Sequence, residues 1–218
     1  MSTQLITFNA DDLVKGIDVS HNNNAIDWKK VAATDVGFAF AKATEGASFH
    51  DPQFNANYAA IKSNGMIRGS YHFFHPDTDA AAQAQNFLKF VQALGPGDLP
   101  PALDIEVNDE SNSNVIIKGV QVWLDAVSAA LHCKPIIYTS ASFWNGNLGG
   151  TNQFADHPLW VAHYTTNPQP NVPVGFPGYT IWQFTEQGQI DGIGGKVDLN
   201  RFNGPLDGLR TLAGLGTP

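Results

Sequence analysis

Two acids separated by one residue, Asp104 and Glu106, carry the most chemistry in this chain. They lie in Pro100-Pro101-Ala102-Leu103-Asp104-Ile105-Glu106-Val107, a short apolar run opened by prolines. In a β-strand, side chains at i and i+2 project from one face, about 7 Å apart. Repulsion and partial desolvation then raise one pKa, so one carboxyl keeps its proton near neutral pH while the other is ionised. A general acid beside a fixed negative charge suits cleavage of a glycosidic bond. Alone, such a pair more often marks a solvated strand end, so its meaning depends on what the rest of the chain brings to it.

Eight apolar runs are available to position these groups, at residues 15–20, 36–42, 66–74, 100–107, 134–139, 159–164, 179–184 and 196–200. Amphipathic segments separate the first of them. Asp27 is placed to cap a helix from Trp28, and Asp51-Pro52 to open one through Ser63 with proline in its first turn. Asp77-Thr78-Asp79 precedes a helix from Ala80 to Ala93, and Asn114 to Leu131 forms another. Strand and helix alternating in this way predict parallel β/α construction. Eight runs in 218 residues predict an α/β, single-domain, (β/α)8-type barrel near the lower size limit of that fold. Tyr164 to Gly178 holds four prolines and Glu186 to Gly195 four glycines, neither compatible with a long helix. The expected barrel is therefore incomplete, with helices reduced or missing in its C-terminal half. Residues 1–14 read as a polar lead-in, and residues 15–218 as the barrel.

The composition, 43% apolar with 15% charged residues, is that of a folded chain. A net charge of −8 argues against a nucleic-acid partner, which requires a basic face. Cys133 is the only cysteine, which rules out an intrachain disulfide and thiolate metal clusters, and it reads as a packing residue. No apolar run approaches ~18–20 residues, so no membrane span is expected. Met1 to Val14 lacks the pattern of a signal peptide.

In a parallel barrel the reactive groups gather at the C-terminal ends of the strands. Here those ends carry Asp18, Lys42, His72, Asp104 with Glu106, Tyr138, His163, Gln183 and Asp198. Four carboxylates thus converge on one mouth, beside the aromatic side chains of Tyr71, Tyr138, Trp160, Tyr164 and Trp182. His72 and His75, three apart on an extended segment, face opposite sides, unlike the paired histidines of a zinc helix.

Gly16-Ile17-Asp18-Val19-Ser20, Phe40-Ala41-Lys42-Ala43-Thr44-Glu45-Gly46, Tyr71-His72-Phe73, Leu103-Asp104-Ile105-Glu106 and Val197-Asp198-Leu199-Asn200 together resemble the family 25 glycoside hydrolases, the Chalaropsis-type lysozymes. The similarity runs in order from Lys15 to Phe202. It implies an incomplete β/α barrel that cuts the β-1,4 bond between N-acetylmuramic acid and N-acetylglucosamine in bacterial peptidoglycan, with no metal or cofactor. Asp18, Asp104, Glu106 and Asp198 match the family's acidic positions, Glu106 its proton donor. Trp144 to Asp156 matches no motif and is expected to be a loop.

On this reading Glu106 is general acid and then base. Asp104 is either a nucleophile or the group that orients the substrate's own N-acetyl oxygen, and spacing on one strand favours the second. Asp18 and Asp198 keep the pair in its protonation states, while Tyr71, Tyr138, Trp182, Lys42 and His163 bind sugar. A chitinase-like hydrolase and a barrel that only binds glycan are the rivals. The expected setting is a monomer acting on the bacterial cell wall, extracellular or periplasmic. Phage-type release, a secretion apparatus or processing of a longer chain would deliver it. Activity is expected to favour mildly acidic pH.

Overall fold

The structure is a computed structural model, described here for residues 13–216. The expected lead-in, residues 1–14, lies outside the described residues except for its last two. Val14 already belongs to the barrel, its carbonyl accepting the Phe202 N–H.

In chain order the strands are β1 (Lys15–Val19), β2 (Val36–Glu45), β3 (Phe49–His50), β4 (Ile67–Phe73), β5 (Ala102–Asp104), β6 (Ile136–Ser140), β7 (Leu159–Ala162), β8 (Ile181–Gly188) and β9 (Val197–Phe202). Each of the eight apolar runs supplies one barrel strand. The two-residue β3 folds back antiparallel on the end of β2. β2, β4, β5, β6, β7 and β8 pair in parallel succession, and β1 closes the ring by pairing with β2 and β9.

The expectation of an all-parallel barrel fails at one strand. β9 runs antiparallel to both neighbours, β8 and β1. Only residues 189–196 separate β8 from β9, too few for the crossover that a parallel return needs. The chain turns back as a hairpin and leaves the barrel at the opposite end. There α6 (Leu206–Leu212) plugs the floor with Leu209, and Ala213 packs beside it.

Period-two alternation sorts the strand residues into two cores. Phe38, Phe40, Trp160 and Phe202 fill the barrel, while Ile17, Val19, Leu103 and Val161 face the helices. Burying each such phenylalanine stabilises the fold by about 1.5–3 kcal/mol. Glycine makes the room. A Cβ on Gly16 would stand 2.2 Å from the Phe38 ring, and one on Gly69 would stand 2.3 Å from that of Phe40.

The helices are α1 (Trp28–Ala32), α2 (Phe54–Ser63), α3 (Ala80–Leu88), α4 (Ser113–Leu131), α5 (Ala141–Leu148) and α6. Asp27 caps α1 and Asp79 caps α3 through their side chains. α2 starts at Phe54, later than Pro52, because Asp51 joins loops instead of capping. Its Oδ1 accepts the Gln53 N–H and its Oδ2 the N–H of His21. α3 stops at Leu88, short of Ala93, where the chain turns so that Phe90 stacks on His50 at 3.7 Å. α4 is long and apolar enough to reach across a bilayer by length and composition. Nevertheless it buries Val120, Trp123, Leu124 and Val127 in the core and exposes Lys118 and Asp125. The 144–156 stretch, expected as a loop, begins inside α5, which Ser140 caps and Gly149 (φ +65) ends. Among the described residues no helix lies between β7 and β8 or between β8 and β9.

Candidate active site

Asp18 points into the barrel because its neighbours Ile17 and Val19 are drawn outward to the helical core. Two amides hold it. Asn200 Nδ2 donates to Asp18 Oδ2 at 2.8 Å and Gln183 Nε2 to the same oxygen at 2.9 Å. Neither amide is free to flip. The Asn200 oxygen accepts from Trp160 Nε1 at 2.8 Å, and the Gln183 oxygen accepts from the hydroxyls of Tyr138 and Tyr164 at 2.9 and 2.8 Å. Three donors on the oxygens leave the NH2 groups facing the carboxylate.

Asp198 sits on β9 directly across from Asp18. It lies near the beginning of its strand, and it reaches the mouth because that strand runs in reverse. Burial pushes Asp198 up to about 7, with Asp18 and Glu186 adding repulsion. Burial likewise raises Asp18 to about 6, against the two amide donors.

Asp104 ends β5, and Glu106 lies just beyond it. The segment stays extended because Ile105 is pinned to β6 on both sides. Its N–H donates to the Tyr138 carbonyl at 2.9 Å, and its carbonyl accepts from Thr139 Oγ1 at 2.8 Å. Asp104 and Glu106 therefore keep the same face, and both line the cleft. Burial raises Asp104 well above the carboxylate range, reinforced by the Glu106 charge. Burial raises Glu106 too, opposed by Lys42 and helped by Asp198. Asp104 Oδ1 is buried without a hydrogen-bond partner among the described residues. Buried polar atoms are rarely left so.

Lys42 is the one cation on the cleft wall among the described residues. Its ammonium donates to Glu45 Oε2 and lies 4.8 Å from the centre of the Phe73 ring. Tyr71 and Tyr138 line the cleft as expected, together with Trp160 and Tyr164.

Two expected sugar contacts do not reach the cleft. Trp182 follows Ile181, which faces the barrel interior, so alternation sends its indole to the helical side. There it donates to the His163 carbonyl at 2.8 Å. His163 follows the end of β7, and its Nδ1 accepts the Asn171 N–H at 3.0 Å, holding a loop. Trp160, one strand earlier, is the tryptophan of the site. Asn200 gave no signal beyond its place two residues after Asp198. Ser20 and Phe73, from two of the quoted motifs, also line the cleft, as do Asn22 and Glu186, which no motif contained.

His72 is wholly buried outside the barrel wall, between Thr44 Oγ1 at 2.7 Å and Gln83 Oε1 at 3.1 Å. Burial lowers it to about 3, so it is a neutral structural group. Both ring nitrogens of His75 are engaged by carboxylates, Nε2 by Glu45 and Nδ1 by Asp109. As an arrangement, the mouth combines buried acids that hold protons into the neutral range, one fixed cation and aromatic walls. That equips it to protonate a leaving oxygen on a ring-shaped polar substrate.

The profile of the glycosyl hydrolases family 25 matches residues 17–193. The match contains Asp18, Asp104 and Glu106 and stops just before Asp198. Lysozyme M1 of Streptomyces globisporus is 38% identical over 210 residues, spanning 92% of this chain and 71% of that protein. The N,O-diacetylmuramidase of Chalaropsis sp is 32% identical over 217 residues, spanning 92% and 99%. Among solved structures, a bacterial lysozyme from Streptomyces coelicolor shares the fold with a TM-score of 0.88 at 37% identity, covering 92% of this chain and 96% of that one.

Proposed function

The chain belongs to the glycosyl hydrolases family 25, and from that membership we propose that it is a peptidoglycan muramidase with Glu106 as its acid and base. The bond cut is the β-1,4 link from N-acetylmuramic acid to N-acetylglucosamine, and the place of action is the bacterial cell wall. One observation carries the assignment of roles. Asp104 offers a buried oxygen that no group among the described residues satisfies, two residues from a carboxyl whose pKa burial also raises.

An acetamido sugar bound over Asp104 supplies the missing donor, its amide N–H. The Glu106 proton passes to the leaving oxygen as the C1–O bond breaks, and the acetamido oxygen closes on C1. Asp104 holds the amide in line through that unpaired oxygen. Water then adds to C1, gives its proton to Glu106 and reopens the ring. Asp18 lies behind this pair as a buried acid whose two amide donors fix its position. The leaving sugar lies beyond Glu106, over the open depression lined by Asn108, Phe143 and Asn147.

A zymogram over purified peptidoglycan, run with Glu106→Gln alongside, tests the proposal. Wild type is expected to clear the gel and to release chains with muramic acid at the reducing end. Glu106→Gln is expected to lose about a thousandfold or more in turnover while still binding wall fragments. Soluble chitin fragments without wall clearance would reassign the substrate, and a variant retaining a tenth of the activity would remove Glu106 from its role.

A further inference from the structure

We propose that His75 is a positioning residue for the acid pair, a protonated imidazole that ties the segment carrying Glu106 to the Lys42–Glu45 ion pair. This inference rests on the glycosidase reading above. Its geometry is a chain of alternating charges drawn from three parts of the barrel rim. Lys42 on β2 donates to one oxygen of Glu45. The other Glu45 oxygen meets His75 Nε2 at 3.1 Å, and His75 Nδ1 meets Asp109 Oδ2 at 2.9 Å. Asp109 is three residues beyond Glu106, in the left-handed region at φ +44, a conformation that needs outside support in a non-glycine residue.

Carboxylates accept and do not donate, so two of them on one ring require hydrogen on both nitrogens. The imidazolium is the only form of His75 that satisfies both. Its backbone is held independently by Gln83 of α3, which accepts the His75 N–H at 3.0 Å and donates to its carbonyl at 2.7 Å. The ring is thus a fixed post between the β2 end and the β5–α4 connection. Other groups facing it are Asp77 on its own loop, the neutral buried His72 on β4, and the Phe73 ring at 5.3 Å.

Its neighbours also set the working range. Burial works against the charged ring, but the Glu45 and Asp109 hydrogen bonds outweigh it and raise His75 above its ordinary value. Lys42 and His75 together lower Glu45 despite its partial burial. The tie is complete above the Glu45 titration and below that of His75. As pH rises through the latter, one carboxylate faces a bare nitrogen, and the Glu106 segment loses its anchor to Lys42.

The test compares wild type, His75→Gln and His75→Arg on peptidoglycan from pH 4 to 9, with imidazole nitrogen NMR of the wild type. His75→Gln has one donor group where two are needed. It is expected to lose about ten- to a hundredfold in kcat, the cost of slightly misplaced reacting groups, with KM within about twofold. His75→Arg, a permanent cation with forked donors, is expected to restore kcat and to leave an alkaline limb governed by one proton where wild type shows two. The spectrum is expected to show both ring nitrogens still protonated at pH values above the ordinary histidine titration. An ordinary His75 titration would overturn the proposal whether or not the protein lyses walls. So would a His75→Gln variant with wild-type kcat and pH profile, or a His75→Arg variant no better than His75→Gln. Wild-type inactivity on any glycan would count against the glycosidase reading and leave the spectroscopic result to judge His75.

Discussion

Asp18 faces Asp198 directly across the antiparallel ladder that joins β1 to β9. Like charges at directly opposed positions repel, and both groups are also buried, so the pair favours keeping a proton. The reversed β9 is what creates this pairing, and it makes the mouth of the barrel a proton reservoir as well as a binding surface.

That pairing has a cost at alkaline pH. Asp18 is raised to about 6 and Asp198 to about 7, so the native state holds protons more tightly than the unfolded chain. The stability linked to them is present in acid and is lost as pH rises through 6 to 7. Asp198→Asn removes the share of that loss that Asp198 contributes. Its stability relative to wild type, from urea melts, should improve between pH 5 and pH 8 by about 1–2 kcal/mol. An equal difference at both pH values would contradict the proton-sharing account.

Asp104 should be needed for the acetamido group and dispensable for bulk wall binding. A cyclic thiazoline mimic of the 2-acetamido sugar is expected to inhibit wild type competitively, and Asp104→Asn to weaken it about tenfold through the lost carboxyl contact. Isothermal titration reads this directly. A covalent sugar adduct on Asp104, seen by intact-protein mass spectrometry with a slow 2-fluoro substrate, would favour the nucleophile role instead.

The two tryptophans should separate. Trp160→Phe deletes the N–H that orients Asn200, and with it one donor to Asp18. It should lower kcat/KM about tenfold with the protein still folded at 25 °C, since one hydrogen bond to a charged group is worth about 1.5–3 kcal/mol. Trp182→Phe should lower the melting temperature and leave kcat within about twofold. Equal activity losses would mean that Trp182 communicates with the cleft.

Inside the barrel, Gly69 exists for Phe40. A Cβ there would stand 2.3 Å from the ring, so Gly69→Ala should destabilise by about 1–3 kcal/mol through overpacking. The double variant with Phe40→Leu should recover part of that. Gly194→Ala, where a Cβ meets nothing within 4 Å, should stay within about 0.5 kcal/mol of wild type. Thermal or urea melts distinguish the three.

Strand identity, the thinning of helices in the second half and the four acids were legible from local pattern alone. Alternation and helical spacing are properties of neighbouring residues, and prolines or glycines forbid a helix wherever they cluster. Alternation also carried the answer for Trp182, since Ile181 and Gln183 flank it on the inward face. Reading it as a rim aromatic ignored that parity.

The direction of β9, the pairing of Asp18 with Asp198, the amide cradle of Asn200 and Gln183, and the His75 tie were decided only by the closed barrel. Each depends on residues far apart in the chain meeting at a distance of a few ångströms. A hydrogen bond of that kind leaves no periodic trace in either partner's neighbourhood. What the chain determines locally is which side chains face inward. Which of them touch is set by closure of the ring and by the short connection that forces its last strand to run in reverse.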